Sequence, residues 1–215
     1  MTNDKTKEWV LDNIIHKAKF DILNSDNQDE HRLQNYITDN SFIITVQLRN
    51  YGGYHNIIEG QRRVERAFGR YHASTLRPQC LKTGKVTRRN KKLQPMAFTA
   101  FDIEGSRENG FHINSLYPHA HGAILFHERT LGNFQDNNRR FLTPEGGYKI
   151  TNPTADISLI DFKPVHSLCD LDQFLGYSLK LERHLRDNRT NYAPFNFYPA
   201  SSIDFPFWSR FGDQL

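Results

Sequence analysis

The chain has 215 residues, of which 37% are hydrophobic and 24% are charged, and its formal net charge is +4 at pH 7. This length is sufficient to bury the core of one large domain, and no apolar run approaches the roughly 18 to 20 residues of a membrane span. Residues 1–5 lack the basic start and apolar run of a secretory signal, and the two cysteines have no metal-type spacing. We therefore expect a cytoplasmic protein that has no disulfide scaffold and no membrane partner.

The first predicted elements are an amphipathic helix and a buried strand. Apolar residues recur at near-helical spacing over residues 6–23, and a polar, turn-rich segment follows at 24–31. The β-branched run 42–48 is short and continuously apolar, which predicts a central strand. We divide the chain into an N-terminal helical extension packed on the domain (1–40), a main domain (41–190) and an aromatic, proline-rich C-terminal tail (191–215).

A basic segment follows the first strand. Apolar residues at i, i+3, i+4 and i+7 from Val64 predict a helix over residues 59–76, with arginines on its outer side. From residue 62 to residue 92 the chain carries many cations and one acid, Glu65. A solvated face explains any single cation equally well, but the whole cluster indicates a surface that contacts nucleic-acid phosphates. The predicted nucleic-acid-binding residues are Arg62, Arg63, Arg66, Arg70, Arg88, Arg89, Lys91 and Lys92.

Two histidines open the third predicted strand. Residues 96–104 predict the second strand, and a turn that ends in the Asn109-Gly110 pair leads into the third. Residues i and i+2 of a strand point to the same face, so the side chains of His119 and His121 project side by side. Two parallel imidazoles can share one metal ion, although a pair with this spacing also arises by chance.

The last third of the chain contains a candidate tyrosine site. Residues 128–150 form a long polar excursion that is either functional or mobile, and residues 157–162 predict a further strand. A helix is predicted to begin with Asp170 as its N-cap residue. Tyr177 and Lys180 share a face of this helix, where Tyr177 is either a core aromatic or a nucleophile. The prolines in the tail exclude a regular helix or a central strand, and we favour a tail wrapped over the domain over a base-stacking platform.

The order strand, helix, strand, strand, helix predicts an α+β fold. We expect a ferredoxin-like antiparallel sheet, with helices on one face and the other face open for a ligand.

Three segments in this order resemble the motifs of a known family. They are the apolar strand at 42–48, Pro118-His119-Ala120-His121-Gly122, and Tyr177-Ser178-Leu179-Lys180. The set is similar to the rolling-circle replication initiator (Rep) proteins of the HUH endonuclease superfamily, of the single-tyrosine type, and the similarity covers residues 41–186. Ala120 departs from the pattern because it is small for the hydrophobic position between the histidines.

This resemblance implies a metal-dependent DNA endonuclease and strand transferase, with the metal and single-stranded DNA site on the open face of the sheet. It implies sequence-specific nicking and rejoining of single-stranded DNA at a replication origin through a 5′-phosphotyrosine, with Tyr177 as nucleophile and Lys180 as an assisting charge. It also implies that His119 and His121 bind Mn²⁺ or Mg²⁺. The third ligand is open between His112, our first choice, and Glu104.

The implied partner is single-stranded or hairpin origin DNA, with a host helicase as an optional further partner. Two other functions fit the same residues. One is a single-tyrosine HUH transposase, which shares the motif order, and the other is a non-catalytic DNA-binding module in which the metal pair is structural or lost.

Overall fold

The computed structural model of the chain describes residues 3–22, 30–49, 57–102, 119–180 and 195–199. The strands are β1 (Ser41–Leu48), β2 (Met96–Asp102), β3 (His119–Leu125), β4 (Tyr148–Thr151), β5 (Ile157–Pro164) and β6 (Phe195–Tyr198). The helices are α1 (Asn3–Ile22), α2 (Glu30–Asn40), α3 (Ile57–Tyr71), α4 (Arg77–Leu81), α5 (Glu128–Asn138) and α6 (Leu168–Ser178). A π-helical turn, His72–Leu76, joins α3 to α4.

The described strands form one antiparallel sheet in the order β4-β5-β1-β3-β2-β6. The predicted strands at 42–48 and 157–162 correspond to β1 and β5, and β1 lies next to β3 in the middle of the sheet. The chain therefore has the α+β fold that the sequence predicts. Among the described residues, no helix combines the length and the apolar character needed to cross a membrane.

Both faces of the sheet are packed against helices. All seven residues of β2 are buried, so its side chains project to both faces of the sheet and both faces must be packed against other elements. On one face, Ile44 and Phe101 lie in a cluster with residues of α3 and α5. On the other face, Phe98 and Ala123 lie in a cluster with residues of α1, α2 and α6. The expectation that helices cover only one face is therefore wrong.

The polar segment 128–150 is folded rather than an irregular excursion. It contains α5, a short 3-10 turn and strand β4, which pairs with β5. Leu131 and Phe134 anchor α5 in the core, and the His127 side chain caps the helix by accepting a hydrogen bond from the backbone nitrogen of Arg129 at 3.1 Å. Two buried apolar residues in a helix of 11 residues give a weak periodic signal, which explains why the sequence did not reveal the helix.

One helix boundary differs from the sequence prediction, and the described part of the C-terminal tail contains a strand. The N-cap residue of helix α6 is Ser167, three residues before the predicted N-cap Asp170, and its side chain accepts a hydrogen bond from the backbone nitrogen of Asp170 at 3.0 Å. Within the tail, β6 pairs with β2 at the edge of the sheet. An edge position is compatible with nearby prolines, whereas a central one is not.

Candidate metal centre and tyrosine site

The site is built on three adjacent strands whose side chains lie in register. His119 of β3 is opposite Gln47 of β1 and Asp102 of β2, and His121 is opposite Thr45 and Ala100. Directly opposed residues of neighbouring strands point to the same face. The two imidazoles and the Asp102 carboxylate therefore project together, on the face that α6 also covers.

The three side chains have the spacing of metal ligands. The Nε2 atoms of His119 and His121 each lie 3.3 Å from Oδ2 of Asp102, and the potential ligand atoms all lie within 4.8 Å of one another. Two ligands that are each about 2.1 Å from one ion lie about 3.0 to 3.4 Å apart in octahedral or tetrahedral sites. The donor set and its spacing therefore fit a divalent cation.

The electrostatics of the site favour the ligand forms of these groups. Burial alone would raise the pKa of Asp102, which is 1% exposed, but hydrogen bonds from His119, His121 and Lys180 hold that pKa well below its usual range. Burial lowers the pKa of His121, although Asp102 acts in the opposite direction. A carboxylate and a neutral imidazole are the protonation states that bind a metal.

Thr45 orients one of the imidazoles. Its Oγ1 atom lies 3.2 Å from Nδ1 of His121. If Nε2 of His121 binds a cation, the ring proton is on Nδ1 and can be donated to the threonine hydroxyl. A hydrogen bond from the second nitrogen fixes the tautomer and the ring orientation of a metal-binding histidine.

Helix α6 brings the tyrosine to the imidazoles. Leu171 and Leu175 are fully buried in the cluster shared with the sheet, which fixes the helix against β2 and β3. The rings of Tyr177 and His121 lie 5.1 Å apart between centroids, in an edge-to-face arrangement. Tyr177 is half-buried, and its hydroxyl accepts a hydrogen bond from Nζ of Lys180 at 3.1 Å.

Lys180 connects the tyrosine to the acid. Its Nζ atom lies 2.7 Å from Oδ2 of Asp102 and 4.2 Å from the centroid of the Tyr177 ring. The structure therefore places Tyr177, Lys180, His119 and His121 in one site, as expected from the sequence. Chemically, the site joins a phenol hydroxyl, an ammonium group and three side chains that could hold a cation.

Asp102 is a candidate ligand that the sequence motifs do not predict. The alternatives for that position, His112 and Glu104, lie outside the described residues. A signal was present, because a strand predicted over 96–104 places Asp102 and Glu104 on one face, the face of Phe98 and Ala100. Strand register, which a single sequence does not provide, puts Asp102 beside His119.

The predicted basic residues do not surround this site. Helix α3 packs on the opposite face of the sheet, so its exposed side chains Arg62, Arg66 and Arg70 lie across the sheet from the histidines, as does the partly buried Arg63. The other four predicted residues, Arg88, Arg89, Lys91 and Lys92, precede Met96, the first residue of β2. Asp102 is the last residue of that strand, and it lies about 20 Å from Met96 at about 3.3 Å per residue.

Exposed cations also occur on the same face as the site. Lys149 of β4 is opposite Asp161 of β5, which is opposite Thr45, so Lys149 projects on the histidine side of the sheet. Lys163 is opposite Ile43 and shares this orientation. Both lysines are exposed.

Comparisons of the chain with protein-family models, with characterised proteins and with solved structures gave no significant match. The sequence motifs and the geometry of the site are therefore the features of the chain that indicate a function.

Proposed function

We propose that the chain is a metal-dependent endonuclease and strand transferase that nicks and rejoins single-stranded DNA through Tyr177. One observation carries this proposal: the Tyr177 hydroxyl, the Lys180 ammonium and the Asp102, His119 and His121 cluster meet in one half-buried site. A hydroxyl beside a cation-binding cluster favours a phosphoryl-transfer site over a structural metal site, because a structural ion needs no neighbouring nucleophile.

The proposed reaction is a transesterification that conserves the number of phosphoester bonds. The Tyr177 oxygen bonds to the scissile phosphorus, the bond from phosphorus to the 3′-oxygen breaks, the phenol proton goes to solvent, and the 3′-oxygen gains a proton. The product is a 5′-phosphotyrosyl link and a free 3′-hydroxyl, and attack by a 3′-hydroxyl reverses the step without ATP.

Each side chain of the site has a proposed role. Lys180 stabilises the charge that develops near the Tyr177 oxygen, and Asp102, His119 and His121 would hold Mn²⁺ or Mg²⁺. A bound divalent cation would supply positive charge at the phosphate oxygens. Two imidazole donors favour Mn²⁺ over Mg²⁺, which prefers oxygen ligands.

The motif order and the fold lead us to propose more specifically a single-tyrosine rolling-circle replication initiator with a ferredoxin-like core. Apart from the short helix α4 and the edge strand β4, the elements β1, α3, β2, β3, α5 and β5 follow in the order strand, helix, strand, strand, helix, strand. Helices α3 and α5 lie in the same cluster. This arrangement supports that architecture. The proposed partner is a single-stranded or hairpin origin.

The test is covalent capture of the protein on DNA. The full chain is incubated with Mn²⁺ and a pool of single-stranded and hairpin oligonucleotides, and denaturant-resistant adducts are isolated, sequenced and digested. In the wild-type chain, we expect the DNA to be attached to the peptide that contains Tyr177. The control variant Tyr192→Phe should still form the adduct, and Tyr177→Phe should form none. Binding of DNA without any adduct would refute the nuclease and leave the non-catalytic DNA-binding module.

A further inference from the structure

Three nitrogen atoms converge on a single carboxylate oxygen in the site. Oδ2 of Asp102 lies 2.7 Å from Nζ of Lys180 and 3.3 Å from Nε2 of each histidine. Lys180 has a second acceptor, because its Nζ also donates to the Tyr177 hydroxyl at 3.1 Å. The ammonium therefore lies between the acid that belongs to the cation-binding cluster and the hydroxyl proposed as nucleophile.

We propose that Lys180 and a divalent cation compete for Asp102, so that cation binding releases the ammonium from the carboxylate and leaves it on Tyr177. This inference rests on the proposed function for its consequence in catalysis, but the competition itself needs only the residues described above. It makes Lys180 a residue that links occupation of the cation-binding cluster to the charge beside the tyrosine.

The reason for competition is the crowding and the burial of Asp102. The oxygen faces three donors already, and its residue is 1% exposed, so water does not screen a second cation that approaches the same atom. Lys180 is able to leave, because its side chain is 20% exposed and ends a flexible four-carbon stem. The hydroxyl of Tyr177 already accepts a hydrogen bond from the same ammonium, so this contact remains when the carboxylate is released.

The first test measures Mn²⁺ affinity by calorimetry in the absence of DNA. Lys180→Met should bind Mn²⁺ at least tenfold more tightly than the wild-type chain, whereas Lys180→Arg, which keeps a cation beside Asp102, should stay within about threefold. Lys163→Met is the matched control, because Lys163 is an exposed lysine on the same face of the sheet, 3.9 Å from Asp161. Equal affinity in wild type and Lys180→Met would overturn the proposal, and so would equal tightening in Lys163→Met.

The second test separates displacement from simple charge repulsion and uses the wild-type chain. Acetylation of lysines is followed by mass spectrometry with and without Mn²⁺. Release from Asp102 should raise the labelling rate of Lys180 several-fold and leave that of Lys163 unchanged. If Mn²⁺ binds and the labelling rate of Lys180 stays the same or falls, the ammonium remains on the carboxylate and the competition is refuted. Both tests are made without DNA, so they distinguish a failure of the competition from a failure of the nicking reaction, which only the tyrosine adduct reports.

Discussion

The hydroxyl of Thr45 should control the affinity of the cluster for a divalent cation, although Thr45 is not itself a ligand. Its Oγ1 lies 3.2 Å from Nδ1 of His121, on the side of the ring away from Asp102. Replacing Thr45 by valine keeps the shape of the side chain and its β-branching but removes the acceptor for the ring proton. Without this acceptor, the imidazole is free to rotate and to adopt the other tautomer.

The size of the effect follows from two separate terms. Loss of a partner that orients a metal ligand costs about 10- to 100-fold in affinity, which corresponds to about 1.4 to 2.7 kcal/mol. The free energy of unfolding should change less, by about 1 kcal/mol at most, because one hydrogen bond at a half-buried position is lost and valine favours a strand. We therefore expect weak Mn²⁺ binding by a folded protein.

The assay is Mn²⁺ titration of wild type, Thr45→Val and Thr45→Ser, with thermal unfolding measured in parallel. Serine retains the hydroxyl and should recover most of the affinity. Thr151→Val is the matched control, because Thr151 is an exposed threonine of β4. In a His121→Ala background the valine substitution should have almost no further effect, because the ring that it orients is absent.

Two results would contradict this reasoning. If Thr45→Val binds Mn²⁺ as tightly as wild type, the Thr45 hydroxyl does not orient His121. If Thr45→Ser is as weak as Thr45→Val, the affinity depends on packing of the methyl group and not on the hydrogen bond.

Three further predictions follow from the same structure. His119→Ala should abolish adduct formation and sharply weaken Mn²⁺ binding with little change in unfolding temperature, and unchanged affinity would exclude it as a ligand. Gly122→Ala should destabilise the sheet by ~1–3 kcal/mol and weaken Mn²⁺ binding, because a Cβ atom there would clash with the carbonyl oxygen of Phe98. In the control Gly132→Ala, the added Cβ meets nothing within 4 Å inside α5, so denaturant unfolding should show a gain of about 0.5–1 kcal/mol instead of a loss. Burial lowers the pKa of His72 to about 4 from 6.5, so the stability that the neutral ring contributes is complete above pH 6.5 and is lost as the pH falls to about 4. The free energy of unfolding should fall by about 3 kcal/mol over this range, at about 1.36 kcal/mol per pH unit. The profile of stability against pH should be flatter in His72→Phe, and a profile as steep as that of the wild type would contradict the prediction.

The sequence predicts the parts of this site that depend on local periodicity. A two-residue repeat places His119 and His121 on one face, and a three-residue helical spacing places Tyr177 next to Lys180, and the structure confirms both relations. These relations are local, so they need no knowledge of which strands are neighbours.

The relations that the sequence does not predict are those between distant elements. Asp102 becomes a candidate ligand only because β2 pairs with β3 in a register that sets it opposite His119. Thr45 becomes a partner of His121 for the same reason on the other side of β3. Register follows from the packing of whole strands, and a shift by one residue would send these side chains to the opposite face.

The face of the sheet on which the basic segment lies also could not be predicted from the sequence. The composition of this segment indicates a surface suited to phosphate contacts, but composition does not determine on which side of the sheet a helix packs. Because Phe68 and its neighbours in α3 join the cluster opposite the site, the exposed arginines of that helix do not face Tyr177. The exposed Lys149 and Lys163, which no sequence pattern singles out, lie on the face that carries the histidines.

The N-terminal helices also belong to the structure that positions the tyrosine. Val10 and Ile14 of α1 share a buried cluster with Leu171 and Leu175 of α6, and Lys7 forms an ion pair with Asp172 at 2.9 Å. Helix α6 is therefore held between α1 and the sheet, and its position determines how far the tyrosine hydroxyl lies from the imidazoles. Most of the free energy that keeps α6 packed in this position comes from burial of the leucines, since a partly exposed ion pair contributes at most about 1 kcal/mol. The geometry of the site thus depends on the N-terminal helical extension as well as on the main domain, and a chain that lacked α1 would keep both histidines on β3 while losing the surface that fixes the tyrosine above them.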